Sequence, residues 1–205
     1  MTVVKKTLCV LLSGKAGVGK TTSAKYLKDY LETKYNLKGR IISIAGGVKQ
    51  SAKECYGWDG VKDSRGRKLL QSVGRIGREY NEDVWIKKAY EEMTSSEYPY
   101  DFIIIDDWRF PNEKNFLLSK EILHTITVRI EAPNREILKG TPEYRDTSEV
   151  SLPSVMLLED KGIDWTAGLE YKYCLDNRGK LEELYSSLEI LADREIDNLR
   201  FKQKN

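Results

Sequence analysis

The stretch LLSGKAGVGKTT, residues Leu11–Thr22, decides how this chain folds. An apolar run over residues 8–12 leads into it and is typical of a buried strand, while apolar residues at helical spacing follow it. A glycine-rich turn between a strand and a helix is the P-loop pattern, in which backbone N–H groups point at a phosphate. The sequence therefore predicts a nucleoside triphosphate site at this turn.

The residues of the motif have separate predicted roles. The glycines let the backbone turn tightly and leave its N–H groups accessible, and the helix that begins near Lys20 adds the positive end of its dipole. Lys20 supplies a mobile charge for the β and γ phosphates, and the Thr21 hydroxyl can hold Mg²⁺. The predicted donor-nucleotide residues are Gly14, Lys15, Ala16, Gly17, Val18, Gly19, Lys20, Thr21 and Thr22.

Composition limits the partners that we expect. The length of 205 residues suits a single α/β domain. Lys and Arg number 34 against 32 Asp and Glu, so no nucleic-acid or membrane partner is expected from the net charge. The sequence allows a homodimer but does not establish one.

Cysteine usage and hydropathy indicate the compartment. Cys9, Cys55 and Cys174 share no ligand-like spacing, so we interpret them as reduced core residues. The single histidine, His124, opens a predicted strand, and we expect it to be structural. The chain has neither a signal-peptide pattern nor an apolar run of membrane-span length, so we expect a cytoplasmic protein, in the host cytoplasm if its source is viral.

A second chemical signal follows the apolar run FIII, residues 102–105, which ends in Asp106 and Asp107. Four large apolar residues followed by acid are typical of a central parallel strand whose carboxyl end faces a site. In a P-loop protein this strand end is where a second Mg²⁺ contact is expected, so Thr21, Asp106 and Asp107 are the candidate metal residues. A polar strand exit without a metal role is the alternative.

The rest of the chain alternates predicted strands and helices, which favours an α/β fold. A second strand is predicted over 41–45 with Gly46 and Gly47 behind it, a fourth over 126–130 and a last over 171–175, before a closing amphipathic helix. Residues 48–96 are polar and helical in character. Within them, Leu69, Leu70, Val73 and Ile76 are predicted to form a buried face, with the arginines on the other side.

A polar stretch over 133–150 could form a lid. Its basic residues, Arg135, Lys139 and Arg145, would then close over the bound nucleotides. Solvated loop charges are the alternative interpretation of these side chains.

Taken together, these motifs resemble those of the deoxynucleoside monophosphate kinases of bacteriophages, within the P-loop nucleotide kinases. The resemblance runs through GKAGVGKTT, RKLLQSVGRIGRE with a following DVW, IIIDDWRFPNE, DTSE and LDNRGKLEEL. DDWRFPNE is the most specific of these, since a P-loop alone belongs to many unrelated activities. Two departures affect the acceptor side: Trp108 stands where many relatives have a small or β-branched residue, and Gly46-Gly47 where they have Asp-Pro.

The resemblance implies a three-layer P-loop kinase fold, a five-stranded, mostly parallel sheet flanked by helices with a small mobile lid. It also implies ATP-dependent phosphorylation of a deoxynucleoside monophosphate to the diphosphate with Mg²⁺, a step of deoxynucleotide biosynthesis. Lys20, Asp107 and Arg109 are then the candidate catalytic residues. The implied acceptor residues, mostly within 46–96, are Lys49, Arg67, Gln71, Arg75, Arg78, Trp85 and Arg109.

Three alternatives remain open at this point. One is a P-loop kinase of another small phosphorylated or hydroxylated metabolite. A second is an ATPase switch of the partition or septum-site type, which Lys15 resembles, although Ala16 and the DWRFPNE continuation do not match that class. A third is a P-loop binding protein without transfer activity, which the intact Lys20 and Thr21 disfavour.

Overall fold

The computed structural model describes residues 6–95, 100–132, 134 and 171–204, with side chains up to residue 200. The predicted lid, with Arg135, Lys139 and Arg145, lies outside the described residues. Within them, strands and helices follow one another as β1 (Thr7–Ser13), α1 (Lys20–Tyr35), β2 (Gly39–Ile42), α2 (Ala45–Tyr56), α3 (Ser64–Tyr80), α4 (Val84–Thr94), β3 (Phe102–Ile105), α5 (Pro111–Leu118), β4 (Leu123–Glu131), β5 (Tyr173–Asp176) and α6 (Leu181–Lys204).

The strands form one sheet in the order β2-β3-β1-β4-β5, and all four strand pairings are parallel. The predicted fold class, a five-stranded parallel sheet flanked by helices, is confirmed. β1 and β3 are neighbours and pair in register from Leu8 with Phe102 to Leu11 with Ile105. Because parallel strands end at the same edge of a sheet, the P-loop after β1 and the two aspartates after β3 lie side by side.

Side chains of β1 alternate between two cores, one on each face of the sheet. Leu8, Val10 and Leu12 pack with residues of α1 and α6, while Cys9 and Leu11 pack with residues of α2, α3, α4 and α5. Both faces are therefore covered by helices, as expected for a central strand that is apolar throughout.

The structure corrects the predicted second strand. It ends at Ile42 rather than Ala45, and Gly46 and Gly47 lie in the first turn of α2. The reason is a contact that the local sequence does not carry: the Asp107 carboxylate accepts hydrogen bonds from the backbone N–H groups of Ile44 and Ala45, which turns the chain into a helix.

The predicted buried face of α3 is also partly wrong, because Ile76 is 53% exposed. The side of α3 that meets α4 is made by glycines instead. Trp85 of α4 donates from its indole Nε1 to the Gly74 carbonyl at 2.9 Å. A Cβ at Gly77 would lie only 2.3 Å from the same ring. Small residues therefore take the buried side of α3, and Ile76 faces outward.

The cysteine interpretation holds for Cys9, which is buried, and fails for Cys55 and Cys174, which are exposed. Cys174 lies on β5, an edge strand with one open face. His124 has a structural role, as predicted: its Nε2 lies 2.8 Å from Oε2 of Glu195, a fully buried carboxylate of α6. Hydrogen bonds from His124, Lys172 and Tyr173 outweigh burial and lower the pKa of Glu195 to about 2.

Candidate active site: the P-loop and the cavity beside it

The P-loop has the backbone geometry of a phosphate cradle. Gly14 and Gly19 have φ values of 146° and 102°, a region that side chains rarely adopt. A Cβ at Gly14 would also lie 2.4 Å from the Ile130 carbonyl oxygen, so no larger residue fits there. Helix α1 begins at Lys20 with no acidic residue in its first turn, which leaves the positive end of its dipole uncompensated by the helix itself.

Lys20 is held close to the loop that precedes it. Its Nζ donates to the carbonyl oxygens of Gly14 at 2.6 Å and Lys15 at 2.8 Å. The ammonium group therefore lies against the backbone of the P-loop.

Thr21 and Asp106 form the oxygen pair that the metal hypothesis requires. Thr21 Oγ1 donates to Asp106 Oδ2 at 2.9 Å. Burial raises the pKa of Asp106, the charge of Asp107 raises it further, and the Thr21 hydrogen bond opposes both. Among the described residues no cluster of three or more His, Cys, Asp or Glu side chains could form a metal cage. A hydroxyl and a carboxylate fit Mg²⁺, which takes its remaining ligands from water and phosphate oxygens.

Asp107 has a different environment from Asp106. Its carboxylate accepts from Ser43 Oγ at 2.6 Å, from the Ile44 N–H at 2.8 Å and from the Ala45 N–H at 3.0 Å. Lys49, one turn into α2, donates to the same Ser43 hydroxyl at 3.3 Å. Asp107 therefore attaches the start of α2 to the end of β3.

A cavity of about 310 Å³ lies between the P-loop, the ends of β2 and β3, and helices α2, α3 and α4. This volume is at the lower end of the range for small-molecule sites. The cationic residues that line it are Lys20, Lys49, Lys62, Arg78 and Arg109, and the carboxylates are Asp106, Asp107 and Glu113. Trp85 and Phe110 add aromatic surface.

Most, but not all, of the predicted acceptor residues line this cavity. Lys49, Gln71, Arg78, Trp85 and Arg109 do, whereas Arg67 and Arg75 do not. Arg75 lies on the outer side of α3, where its Nη1 pairs with Glu79 at 2.7 Å and more than half of its side chain is exposed.

Sequence reasoning missed Lys62, which lies in the loop between α2 and α3 and lines the cavity. Desolvation lowers the pKa of Lys62, and the neighbouring charges of Lys49 and Arg67 lower it further. Lys62 is the single basic residue of that loop, but the loop has no periodicity, so no local signal shows that its side chain lines a cavity.

Glu113 was also missed as a site residue. It is buried, and its Oε2 accepts the backbone N–H groups of Arg109 and Phe110, each at 3.0 Å. This is one half of a capping box, because Phe110 at the N-cap has no side-chain acceptor for the other half, and FPNE therefore lacks the usual Ser/Thr-x-x-Glu signature. Burial raises the pKa of Glu113 to about 7, although both hydrogen bonds oppose the shift. The carboxyl fixes the turn that presents Arg109 to the cavity.

The two sequence departures differ in how they relate to the cavity. Trp108 is fully buried, donates from Nε1 to the Phe110 carbonyl at 2.8 Å, and packs on Tyr171 with ring centroids 5.4 Å apart. It does not line the cavity. Of the glycine pair, Gly46 has open space around it, while a Cβ at Gly47 would lie 2.9 Å from Lys88 and 3.1 Å from Trp85.

The comparisons with known protein sequences assign no reaction to this chain. No protein-family model matches the chain. The uncharacterized protein ORF77 of Ictalurid herpesvirus 1 (strain Auburn) is 28% identical over 149 residues, which are 72% of this chain and 60% of that protein. The chain therefore spans about three fifths of the length of this curated relative.

No helix in the described part of the chain has both the length and the apolarity to cross a membrane.

Several solved structures align over nearly the whole chain, but at low similarity. The shikimate kinase of Bacteroides thetaiotaomicron is 15% identical with a TM-score of 0.40, over 91% of this chain and 97% of its own. The shikimate kinase of Acinetobacter baumannii, solved with shikimate, is 13% identical with a TM-score of 0.43, over 97% and 96%. The shikimate kinase of Aquifex aeolicus is 16% identical with a TM-score of 0.43, over 91% and 96%.

Proposed function

We propose that this protein is an ATP-dependent kinase that transfers the γ-phosphoryl group of ATP to a nucleoside or deoxynucleoside monophosphate, giving the diphosphate. One observation carries the proposal: a single cavity is lined by Lys20, Thr21 and Asp106 at the P-loop and also by cations from α2, α3 and the loop between them. A donor phosphate and an anionic acceptor can therefore share one space.

The side of the cavity formed by α2, α3 and the loop between them suits an acceptor that carries phosphate. Lys49, Lys62 and Arg78 contribute three cations to this lining, and Arg109 adds a fourth from the turn after β3. Two of the three lining carboxylates, those of Asp107 and Glu113, accept hydrogen bonds from backbone N–H groups. The cationic side chains of the lining outnumber its carboxylates, and this excess of positive charge favours a doubly charged phosphate over a neutral hydroxyl compound.

The same side suits a planar base. The Trp85 indole is fixed by its hydrogen bond to Gly74, and the Phe110 ring has the Arg78 guanidinium carbon 4.3 Å from its centroid. Both rings line the cavity beside Val48 and Leu70. A flat, partly apolar surface next to cations is complementary to a nucleotide, which combines a planar base with an anionic phosphate.

The chemistry requires little beyond this arrangement. Phosphoryl transfer depends mostly on positioning and on neutralising charge that spreads over the phosphate oxygens. Lys20 and Arg109 would neutralise that charge, while Thr21 and Asp106 would hold Mg²⁺, which supplies further charge neutralisation when bound. An acceptor phosphate is already ionised, so no general base is needed.

An ADP-release screen of the purified protein tests the proposal. The acceptors are each ribo- and deoxynucleoside monophosphate, the matching nucleosides, and shikimate, with Lys20→Ala as the inactive control. We expect release with one or more monophosphates and none with nucleosides. Release with shikimate alone, or with a nucleoside alone, would make the protein a different small-molecule kinase. Release that needs no acceptor and rises with DNA or membranes would instead favour the ATPase switch.

A further inference from the structure

The residue that follows β5 makes a buried contact with the P-loop. Asn177 is 3% exposed, and its side-chain Nδ2 donates to the Val18 carbonyl oxygen at 2.8 Å. Its backbone N–H donates to the Glu131 carbonyl at 2.8 Å, which fixes Asn177 to the end of β4. The LDNRG motif thus reaches the phosphate cradle from the opposite end of the chain.

The contact requires a glycine at the next position of the loop. A Cβ at Gly19 would lie 2.7 Å from Asn177 Nδ2, inside van der Waals contact. Gly19 is therefore needed for the approach of this amide as well as for its own backbone conformation.

The Asn177 hydrogen bond also determines where a neighbouring donor points. In a trans peptide unit the C=O and the following N–H point in opposite directions. Because the Val18 C=O points at Asn177, the Gly19 N–H of the same peptide unit points away from Asn177. The Val18 side chain is buried in the core between the sheet, α1 and α6, so this peptide is held from both its carbonyl and its side chain.

We infer that Asn177 is a positioning residue of the nucleotide site, which fixes the Val18–Gly19 peptide so that the Gly19 N–H donates to a donor phosphate. The inference rests on the P-loop being the triphosphate site of the proposed function. When the peptide is held in this orientation, it cannot rotate and break the hydrogen bond from the Gly19 N–H to phosphate. A hydrogen bond to a charged phosphate contributes more binding free energy than one between neutral groups. Asn177 acts through the loop and contacts no substrate.

The chemical class of the side chain at 177 makes the inference testable. A carbonyl oxygen only accepts hydrogen bonds, so the group facing Val18 must be a donor. Asn177→Asp keeps the size of the side chain but places a carboxylate against that carbonyl. Protonation of the carboxyl at low pH restores an O–H donor in the same place.

The test is calorimetric binding of Mg²⁺ with ATP, and separately with inorganic tripolyphosphate, to full-length parent, Asn177→Ala and Asn177→Asp. Asn198→Ala is the matched control, because Asn198 lies on α6 and, among the residues that the structure describes, its amide hydrogen-bonds Glu195 alone, at 3.5 Å. We expect Asn177→Ala to weaken both ligands equally, by about tenfold, since the lost interaction is with phosphate. We expect Asn177→Asp to be weaker still near pH 8 and to recover relative to the parent near pH 5.

Each result decides one question. Parent protein that binds neither ligand would overturn the phosphate site and the role of Asn177 with it. Parent that binds both, with Asn177 variants within about twofold of it, would leave the proposed function intact and overturn the role of Asn177. Weaker ATP binding with unchanged tripolyphosphate binding would also overturn it, because the lost contact would then be with the nucleoside. A purely structural role would lower the melting temperature of the Asn177 variants while leaving their affinity for both ligands at the parental value.

Discussion

Thr21 Oγ1 donates a 2.9 Å hydrogen bond to Asp106 Oδ2, and this contact joins the first turn of α1 to the carboxyl end of β3. It places a hydroxyl oxygen and a carboxylate together beside the P-loop. The neighbouring Asp107 is turned toward α2 instead. Two adjacent aspartates of one motif are thereby given different tasks, and the difference can be measured.

Asp106→Asn should raise the Mg²⁺ concentration needed for half-maximal activity by about tenfold, because it removes a charged metal ligand. Asp107→Asn should leave that concentration unchanged. It should instead lower the free energy of unfolding by about 1–2 kcal/mol, since one of the buried N–H or hydroxyl partners loses its acceptor. The measurements are Mg²⁺ titrations of activity and urea unfolding of both variants. Equal shifts in metal requirement for the two variants would contradict this division.

Arg109→Lys should reduce phosphoryl transfer by roughly tenfold or more while ATP binding changes little, because the charge remains but the planar fork of donors is lost. Arg75→Lys is the matched control, since Arg75 is paired with Glu79 on the outer side of α3. Its steady-state constants should stay within about twofold of the parent. If both variants lose activity to the same degree, the position of Arg109 in the cavity lining gives it no special role in phosphoryl transfer.

Gly77→Ala should displace Trp85, because the new methyl group would lie 2.3 Å from the indole ring. We expect a loss of about 1–3 kcal/mol in the free energy of unfolding and a higher KM for the acceptor, with KM for ATP nearly unchanged. Gly46→Ala is the control, since nothing lies within 4 Å of its Cβ position and alanine favours the helix. A Gly77→Ala protein with parental stability and acceptor KM would show that Trp85 does not shape the acceptor side.

Glu113 should make stability fall as the pH rises. Burial raises its pKa from an ordinary value of 4.5 to about 7, so the folded state holds the proton more tightly than the unfolded state. Its contribution is therefore largest below pH 4.5 and is lost as the pH rises through about 7, by an amount on the order of 1–3 kcal/mol.

Urea unfolding of parent and Glu113→Gln between these pH values measures that contribution, because glutamine imitates the protonated carboxyl and does not titrate. The stability of the parent relative to Glu113→Gln should decrease across the range. The exposed Glu121→Gln should show no such trend. A constant difference between parent and Glu113→Gln would mean that this carboxyl has an ordinary pKa.

The sequence predicts those parts of the site that are contiguous in the chain. LLSGKAGVGKTT and IIIDDWRFPNE each carry strand, turn and chemistry together, so the parallel sheet and the meeting of Thr21 with Asp106 follow from them. These are local patterns with a physical cause within a few residues.

The remaining features depend on partners far apart in the chain. The start of α2 depends on Asp107, which lies 62 residues beyond Ala45, and the P-loop orientation depends on Asn177, 159 residues beyond Val18. Arg75 and Arg78 differ by less than one helical turn but face different surroundings, because glycines rather than Ile76 pack against α4. No window of the sequence contains those contacts.

The most direct test of the central claim follows the phosphoryl group itself. The protein is incubated with Mg²⁺, ATP radiolabelled in its γ-phosphoryl group, and the monophosphate that gives the most ADP release, and the labelled products are separated by chromatography. If the cavity holds donor and acceptor together, the label should appear in the β-phosphoryl group of a nucleoside diphosphate, and Lys20→Ala should abolish it. Label found only in inorganic phosphate, with or without the acceptor, would contradict the account.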